Sequence, residues 1–291
     1  MRHTKARLFT ALALLLLCAT NAPAQNRELT KEFRLFVNFN SAHVKYKRDI
    51  LVWLPPGYEA EKERRYPVLY MHDGDSVFVN WRIDEIARPL IESKQIEPLI
   101  IVMVPNGGSQ DARLEEYTPT RSGGAGGKAD AYGRMLSEEL KPFIDSEFRT
   151  LTDAADTGLG GASLGALASL HLGLKLPNVF GRLAVMSPSV WWDDRVLTRR
   201  VKSLEAKTTA RIWLDVGSEE GRPAVEGVRE LRDALVRKGW ALDADLAYTE
   251  ARGAEHEEQA FARRAGPMLK FLFPFKKVET AAPSKAGAGR D

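Results

Sequence analysis

The chain has 291 residues, of which 44% are hydrophobic and 28% charged, a balance that excludes a disordered, fibrous or polytopic membrane protein. The formal net charge is +3, and Arg2, Lys5 and Arg7 stand in the first 24 residues without an acid. The remainder is therefore neutral, which excludes a basic nucleic-acid-binding surface as the leading interpretation. Cys18 is the only cysteine, so an intramolecular disulfide is excluded as well.

The first 24 residues have the three parts of a secretory signal peptide. A basic stretch is followed by an apolar run over 8–18 and by an A-x-A cleavage site that ends at Ala24. The apolar run is shorter than the ~20 residues of a membrane-spanning helix. A lipoprotein signal is the other alternative, and the large Leu17 directly before Cys18 argues against it. The sequence predicts a mature chain that starts at Gln25 in the periplasm or outside the cell, without stable membrane insertion.

Between residues 25 and 275, short β-branched or apolar runs alternate with helical patterns. Several of the runs lack a period of two, as is typical of strands that are covered on both faces. The first two runs follow each other without a helix, so they are expected to pair antiparallel at one edge. The predicted strands are 33–38, 50–54, 68–72, 99–104, 157–161, 183–187, 212–216 and 246–249.

The helical patterns predict how these strands are connected. Apolar residues recur every four positions from Tyr132 to Phe148, and every three or four from Val225 to Leu235. Alternating strands and helices predict one α/β domain, 25–275, with a mostly parallel central sheet and helices on both faces. The glycine-rich stretch 121–130 lacks the spacing of a phosphate-binding loop and is predicted to be a flexible loop.

The last 16 residues differ in composition from the body of the chain. Segment 276–291 holds small, polar and structure-breaking residues without an apolar period. Such a composition cannot bury enough apolar surface to fold. It is predicted to be a disordered tail.

The segment with most chemical content is Gly161-Ala162-Ser163-Leu164-Gly165, which matches G-x-S-x-G. This motif places a serine on a tight turn between a strand and a helix, where its hydroxyl is exposed to a base. A predicted strand precedes the motif and a helical pattern follows it. The alternative is a serine that caps an ordinary helix. The context favours Ser163 as a nucleophile.

Of the five histidines, His256 is the predicted base. His3 belongs to the signal peptide, and His171 lies about 12 Å along the same helix as Ser163. His43 and His72 precede the serine. His256 follows the last predicted strand, which gives the chain order serine, acid, histidine of an α/β-hydrolase.

The acid of such a triad is expected in a loop just beyond a strand, between the serine and the histidine. The segment RIWLDVGSEEGRP offers three carboxylates, Asp215, Glu219 and Glu220. Asp215 lies within the predicted strand, whereas both glutamates lie in the loop after it. The residues alone leave the choice open.

Several motifs, taken in order, are similar to those of the Putative esterase family of α/β-hydrolases. They are VWLPPGY, YPVLYMHDG, EYTPTR, GGASLGALASL, FGRLAVMSPSVWW, LDVGSEEG and GAEHEEQAFARR. The family includes enterochelin esterases, esterase D, feruloyl esterases and the mycolyltransferases of antigen 85. The resemblance covers 41–273 and implies an α/β-hydrolase fold and the cleavage of a carboxylic ester without a metal or an organic cofactor.

The resemblance also implies roles for individual residues. Ser163 would be the nucleophile, His256 the base and Glu220 the acid, while the backbone N–H groups of Leu164 and Asp75 would form the oxyanion hole. Asp73 stands where many relatives have the histidine of HGxG. Side chains near the mouth of the site are expected to hold an acyl or aryl group. These are Arg113, Tyr117, Trp191 and Trp192.

Together these inferences predict an exported serine esterase. Few residues are available to bind a metal, because the chain has few histidines, no cysteine in its mature part and no H-x-x-E-H-type cluster. The expected partner is a small-molecule or polysaccharide-linked ester, and no nucleic acid is expected. Two alternatives remain: an acyltransferase that passes the same acyl group to a sugar or polyol, and a non-catalytic binding module on a hydrolase fold.

Overall fold

The computed structural model describes residues 27–276. The predicted signal peptide with Cys18, the predicted first mature residue Gln25 and the predicted tail from residue 277 onward lie outside the described residues. Within the described range, no helix combines the length and the apolar character that crossing a membrane requires.

Eight strands form one large sheet, and two very short strands form a separate hairpin. The strands of the large sheet start and end within two residues of the predicted bounds. In chain order the strands are β1 (Phe33–Phe39), β2 (Arg48–Trp53), β3 (Val68–His72), β4 (Ile100–Val104), β5 (Arg121–Ser122), β6 (Ala125–Gly126), β7 (Thr157–Ala162), β8 (Arg182–Met186), β9 (Arg211–Gly217) and β10 (Leu246–Ala251).

The order of strands in the large sheet is β1-β2-β4-β3-β7-β8-β9-β10. β1 and β2 pair antiparallel at one edge, as predicted, and β2 also runs antiparallel to β4. All the other neighbours are parallel. The chain changes direction across the sheet between β3 and β7, and ligands of open α/β sheets bind beyond the carboxyl ends of strands at such a point.

Nine α-helices surround the sheet in the described range. The two predicted helical patterns fall on α4 to α5 and on α8. In chain order the helices are α1 (Gly74–Ser76), α2 (Ile83–Glu92), α3 (Gln110–Tyr117), α4 (Ala129–Arg134), α5 (Lys141–Glu147), α6 (Leu164–Lys175), α7 (Trp192–Ser203), α8 (Arg222–Arg237) and α9 (Glu258–Leu272). π-helical turns continue α1 over Val77–Trp81 and join α4 to α5 over Met135–Leu140.

Helices cover both faces of the sheet, and each face has its own hydrophobic core. Along β4, Ile100, Val102 and Val104 pack on one side with α6 and α8. Ile101 and Met103 pack on the other side with α2 and α9. Successive residues of a strand point to opposite faces, so a strand that is buried on both sides needs a continuous apolar run. This confirms the predicted α/β fold.

The glycine-rich stretch 121–130 differs from its prediction as a flexible loop. Residues 121–126 form the β5–β6 hairpin, with Arg121 paired to Gly126 and Ser122 to Ala125. Gly123 and Gly124 form its two-residue turn with φ of 57° and 87°. Two successive positive φ values are what a tight hairpin turn of this length needs, and glycine adopts them without strain.

Candidate active site

Three neighbouring strands of the sheet are each followed by a residue with a strained backbone. Ser163, at the turn from β7 to α6, has φ 58° and ψ −120°. Asp73 after β3 and Ser187 after β8 also have positive φ, 53° and 44°. Non-glycine residues rarely adopt these angles, and such residues cluster at functional sites. The serine predicted as nucleophile therefore stands on a strained strand-to-helix turn.

Gly161 shows why this turn needs glycine before the serine. A Cβ atom at this position would lie 3.1 Å from Cβ of His72 and 3.2 Å from the backbone of Gly165. Any side chain would push β7 and the first turn of α6 apart. The glycine thus lets the helix start close against the strand and keeps Ser163 at the apex of the turn.

Ser163 and His256 line the same cavity of about 410 Å³ at the carboxyl end of the sheet. The Ser163 hydroxyl lies 3.2 Å from the hydroxyl of Ser189. Among the described residues this is its only side-chain hydrogen bond, so its Oγ is not bonded to the imidazole in this structure. In an unliganded site, catalytic hydrogen bonds are often long and tighten only when substrate binds.

His256 and Glu220 are in direct contact. The two atoms that meet, Nδ1 of His256 and Oε2 of Glu220, are 2.7 Å apart. The histidine side chain is 45% exposed, whereas that of the glutamate is only 2% exposed. Phe261 packs its ring edge-to-face on the imidazole, with centroids 5.1 Å apart. A buried carboxylate thus orients a histidine whose other nitrogen is free to face the cavity.

The second carboxylate oxygen of Glu220 is held by two donors. Its Oε1 accepts hydrogen bonds from the backbone N–H of Gly217 at 2.6 Å and from the hydroxyl of Ser187 at 2.5 Å. Burial acts to raise the pKa of Glu220, but the hydrogen bonds from His256, Ser187 and Gly217 outweigh it, and the pKa lies below its usual value. Glu220 is therefore ionised at neutral pH.

The other two candidate acids do not reach His256. Asp215 is fully buried within β9, where it accepts hydrogen bonds from the indole of Trp213 at 2.7 Å and the backbone N–H of Ser187 at 3.1 Å. Glu219 is exposed and bonds only to the neighbouring Ser218 hydroxyl among the described side chains. Of the three carboxylates that the residues left open, the structure brings Glu220 to the histidine.

Arg264, on α9, is a residue of this site that the sequence analysis did not identify. Its Nη2 donates to the Ser187 hydroxyl at 2.7 Å and lies 3.7 Å from Oε1 of Glu220, and its Nε lies 3.4 Å from Asp215. Burial raises the pKa of Asp215 to about 6, although Arg264 acts in the opposite direction. A signal was present: Arg264 falls on the apolar face of α9, between Phe261 and Met268.

Leu164 and Asp75 were expected to supply the oxyanion hole. Each lies in the first turn of its helix, α6 and α1, where backbone N–H groups have no acceptor within the helix. Asp75 also lines the cavity. Next to it, the carboxylate of Asp73 accepts hydrogen bonds from Nη2 and Nε of Arg113, at 2.8 and 2.9 Å. Arg113 lines the cavity as expected, but as half of an ion pair.

Three aromatic residues expected at the mouth of the site are not placed there. Tyr117 is fully buried, and its phenol oxygen accepts a hydrogen bond from the N–H of Asp73 at 2.9 Å. Trp192 is also buried, and its indole donates to the carbonyl of Thr120 at 3.1 Å. Trp191 is 65% exposed and packs against Trp192, outside the cavity that holds Ser163. The structure therefore corrects the expected substrate contact for Tyr117 and Trp192, which support the site's loops from within. For the exposed Trp191 it stays a prediction.

His72 lines the cavity as well, although the sequence analysis set it aside. Its Nδ1 lies 2.9 Å from the hydroxyl of Tyr132, and burial lowers the pKa of His72 to about 4. A buried imidazole with this pKa is neutral at physiological pH. Its ring packs between Tyr117 and Tyr132, which makes it part of the floor of the site.

A strained serine turn, a histidine and a buried carboxylate at the carboxyl edge of this sheet define a protein of the α/β-hydrolase class. Residues 41–270 match the family model described as "Putative esterase", and the chain belongs to that family. It is a carboxylic ester hydrolase.

Individual proteins and one solved structure are also similar to the chain. The chain is 27% identical over 247 residues to the uncharacterized protein YbbA of Bacillus subtilis. That alignment covers 80% of this chain and 95% of YbbA. It is 27% identical over 232 residues to an endo-1,4-beta-xylanase/feruloyl esterase of Xylanibacter ruminicola, covering 76% of this chain and 29% of that protein. The solved enterobactin esterase FES of Shigella flexneri shares its fold, with a TM-score of 0.69 and 19% identity over 82% of this chain and 57% of FES.

Proposed function

We propose that this protein hydrolyses a carboxylic ester through an acyl-enzyme on Ser163. The observation that carries the proposal is the 2.7 Å contact between His256 and the buried Glu220, beside a cavity that Ser163 shares with His256. A serine hydroxyl is a weak nucleophile until a base removes its proton, and a buried carboxylate holds such a base in the correct tautomer.

The reaction follows from these positions. The Ser163 hydroxyl leaves Ser189, transfers its proton to Nε2 of His256 and bonds to the ester carbonyl carbon. The protonated histidine then gives that proton to the leaving alcohol, and the acyl group stays on Ser163. Water attacks the acyl-enzyme by the same sequence, with His256 again as base, and releases the carboxylic acid and the free serine.

Two backbone groups would stabilise the negative oxygen of the tetrahedral intermediate. They are the N–H groups of Leu164 and Asp75, which lie in the first turns of α6 and α1 at adjacent strand ends. Glu220 stabilises the imidazolium that forms at the same moment. Preorganised donors and charges of this kind supply much of the rate enhancement in acyl transfer.

A fluorophosphonate probe tests the nucleophile directly, because it reacts with an activated serine and not with an ordinary hydroxyl. We expect the purified protein to form a single covalent adduct, which peptide mass spectrometry places on Ser163, and the Ser163→Ala variant to form none. Ser189→Ala is the matched control, since Ser189 is the hydroxyl that contacts Ser163. It should still be labelled at Ser163. An adduct on Ser189, or an unlabelled wild-type protein, would contradict the proposal.

The names of the relatives suggest which esters to test first. The feruloyl esterase and the enterobactin esterase point to aryl esters, on polysaccharide or free, and to siderophore esters. A panel that spans both classes and simple acyl esters, ranked by kcat/KM, would assign the substrate class.

Export is the second part of the proposal. It rests on the basic stretch, the apolar run and the A-x-A site that precede residue 25. Expression of the full chain in a bacterial host should give a periplasmic or secreted protein whose first residue is Gln25, as measured by N-terminal sequencing and intact mass. A protein that retains Met1, or that carries lipid on Cys18, would contradict it.

A further inference from the structure

The charges that line the active-site cavity are unbalanced. Four carboxylates and one guanidinium line it: Asp73, Asp75, Glu257, Glu258 and Arg113. Arg113 binds Asp73 with two hydrogen bonds, so this pair contributes no net charge. The other three carboxylates leave the cavity with an excess of negative charge.

Asp75 lines the cavity with its side chain, and its own backbone is the proposed oxyanion donor. Partial burial raises the pKa of Asp75 above its usual value, and so do the charges of Asp73 and Asp49, both negative. Asp75 as a residue is exposed to solvent; a carboxylate beside other acids still gains stability from any cation that enters the cavity, and solvent screening limits the size of that gain. It repels an anion for the same reason.

Glu258 adds another carboxylate to the lining of the cavity. It begins α9 and accepts a hydrogen bond from the indole of Trp81 at 2.5 Å, which orients the carboxylate without neutralising it. Glu257 lies 3.5 Å from Arg263, and both side chains are exposed, so that pair is weak.

Aromatic rings lie beside these carboxylates. Trp81 and Phe261 both line the cavity, with ring centroids 6.0 Å apart, and Phe261 also packs against His256. The faces of such rings attract cations. The guanidinium of Arg264 already lies over the Phe261 ring, 5.4 Å from its centroid, so Trp81 is the ring left for a cation of the substrate. Carboxylates next to aromatic rings are a typical environment for an ammonium group.

The acidic character extends beyond the cavity to the loops around it. Segments 73–82, 217–222 and 252–258 together hold seven acidic residues and three arginines, whereas the chain from residue 25 onward has as many basic as acidic residues. The edge of the sheet that carries the site is therefore negative relative to the rest of the molecule. A concave site lined by one sign of charge attracts ligands of the opposite sign.

We infer that this site selects esters that carry a cationic group, accepts neutral esters less well and rejects polyanionic ones. The inference rests on the proposed function, because it concerns the substrate of the same Ser163 site. It distinguishes between the classes suggested by the relatives: neutral aryl esters fit this cavity, and highly anionic siderophore esters do not.

Three matched esters test the inference. The 4-nitrophenyl esters of pentanoate, glutarate and 4-(trimethylammonio)butanoate have similar acyl chains that end in a neutral, an anionic and a cationic group. With uncatalysed hydrolysis subtracted, we expect kcat/KM at neutral pH and low salt to be about 10²-fold higher for the cationic than for the anionic ester. The neutral ester should lie between them. The preference should shrink several-fold in about 0.5 M sodium chloride, because salt screens charge but not shape.

Variants locate the origin of the preference. Asp75→Asn and Glu258→Gln should each reduce the cationic-to-anionic ratio about tenfold, and measuring both protects the test if one variant folds poorly. Glu147→Gln is the matched control, because Glu147 is an exposed carboxylate on α5 outside the cavity lining. It should keep the wild-type ratio.

The outcomes separate this inference from the proposed function. If the neutral ester is hydrolysed and Ser163→Ala abolishes that hydrolysis, but the anionic ester is cleaved as well as the cationic one, only the charge selection is overturned. A preference that both cavity variants leave intact overturns it too. If none of the three esters is hydrolysed, the proposed function and the charge selection fail together.

Discussion

Ser163→Ala and His256→Ala are each expected to lower kcat by about 10⁴-fold or more on the best ester of the panel, while the fold is retained. The serine supplies the atom that bonds to the carbonyl carbon, and the histidine moves its proton, so neither step has a substitute. The two residues act as a unit, and the double variant should be little worse than either single one. Steady-state kinetics and circular dichroism of the purified variants measure both parts of the prediction.

His43→Gln is the control for the histidine. His43 is a partly buried histidine that lies 3.0 Å from Glu138, outside the cavity lining, so its replacement should leave kcat within about threefold of wild type. The assignment of nucleophile and base fails if either Ser163→Ala or His256→Ala keeps more than a tenth of the wild-type activity.

The strands and the serine turn could be predicted because their signals are local. A strand buried on both faces must be apolar throughout, as in Ile100–Val104. All eight predicted strands, including the partly exposed ones at the edges of the sheet, lie within two residues of the observed strands. The turn at Ser163 needs glycine two positions before and two positions after the serine, because Cβ atoms at Gly161 and Gly165 would lie within 3.2 Å of neighbouring atoms. The five-residue motif shows this requirement directly. Each of these features depends on residues that are close together in the chain.

The support behind Glu220 could not be predicted, because it joins residues that are distant in sequence. Ser187 follows β8, Glu220 follows β9 and Arg264 lies on α9, and they meet only once the sheet and the helix have packed. An arginine on the buried face of α9 is unfavourable unless acidic or hydrogen-bonding groups surround its guanidinium. Those partners are identified by the structure alone.

The aromatic residues near the predicted mouth illustrate a second limit. Tyr117 and Trp192 each lie within a motif of the family, but a position within a motif does not tell which way a side chain points. Both point inward, where their polar atoms meet Asp73 and Thr120. Buried tyrosine and tryptophan usually find such partners, so an aromatic residue in a site loop is as able to brace the loop as to contact a ligand.

Glu220→Gln is expected to lower kcat by about 10² to 10⁴-fold with a smaller change in KM. The amide keeps the shape of the side chain but removes the charge that stabilises the imidazolium of His256. It also alters the hydrogen bonding at Oε1, which in the wild-type protein accepts hydrogen bonds from Ser187 and Gly217. The loss is expected to be no larger than that of Ser163→Ala, because an acid acts through the histidine and not on the substrate.

Two neighbouring carboxylates are the matched controls, and they should behave differently from each other. Glu219→Gln changes an exposed residue without contact to His256 and should leave both kcat and stability near wild type. Asp215→Asn leaves Arg264 beside a neutral partner in the core, so it should lower the free energy of unfolding by about 3 kcal/mol while kcat of the folded enzyme falls less than for Glu220→Gln. Chemical denaturation and kinetics on the same samples separate the two effects. If Glu219→Gln or Asp215→Asn lowers kcat more than Glu220→Gln does, the acid has been assigned to the wrong residue, although Ser163 remains the nucleophile. If none of the three substitutions lowers kcat, Ser163 and His256 work as a pair without an acid.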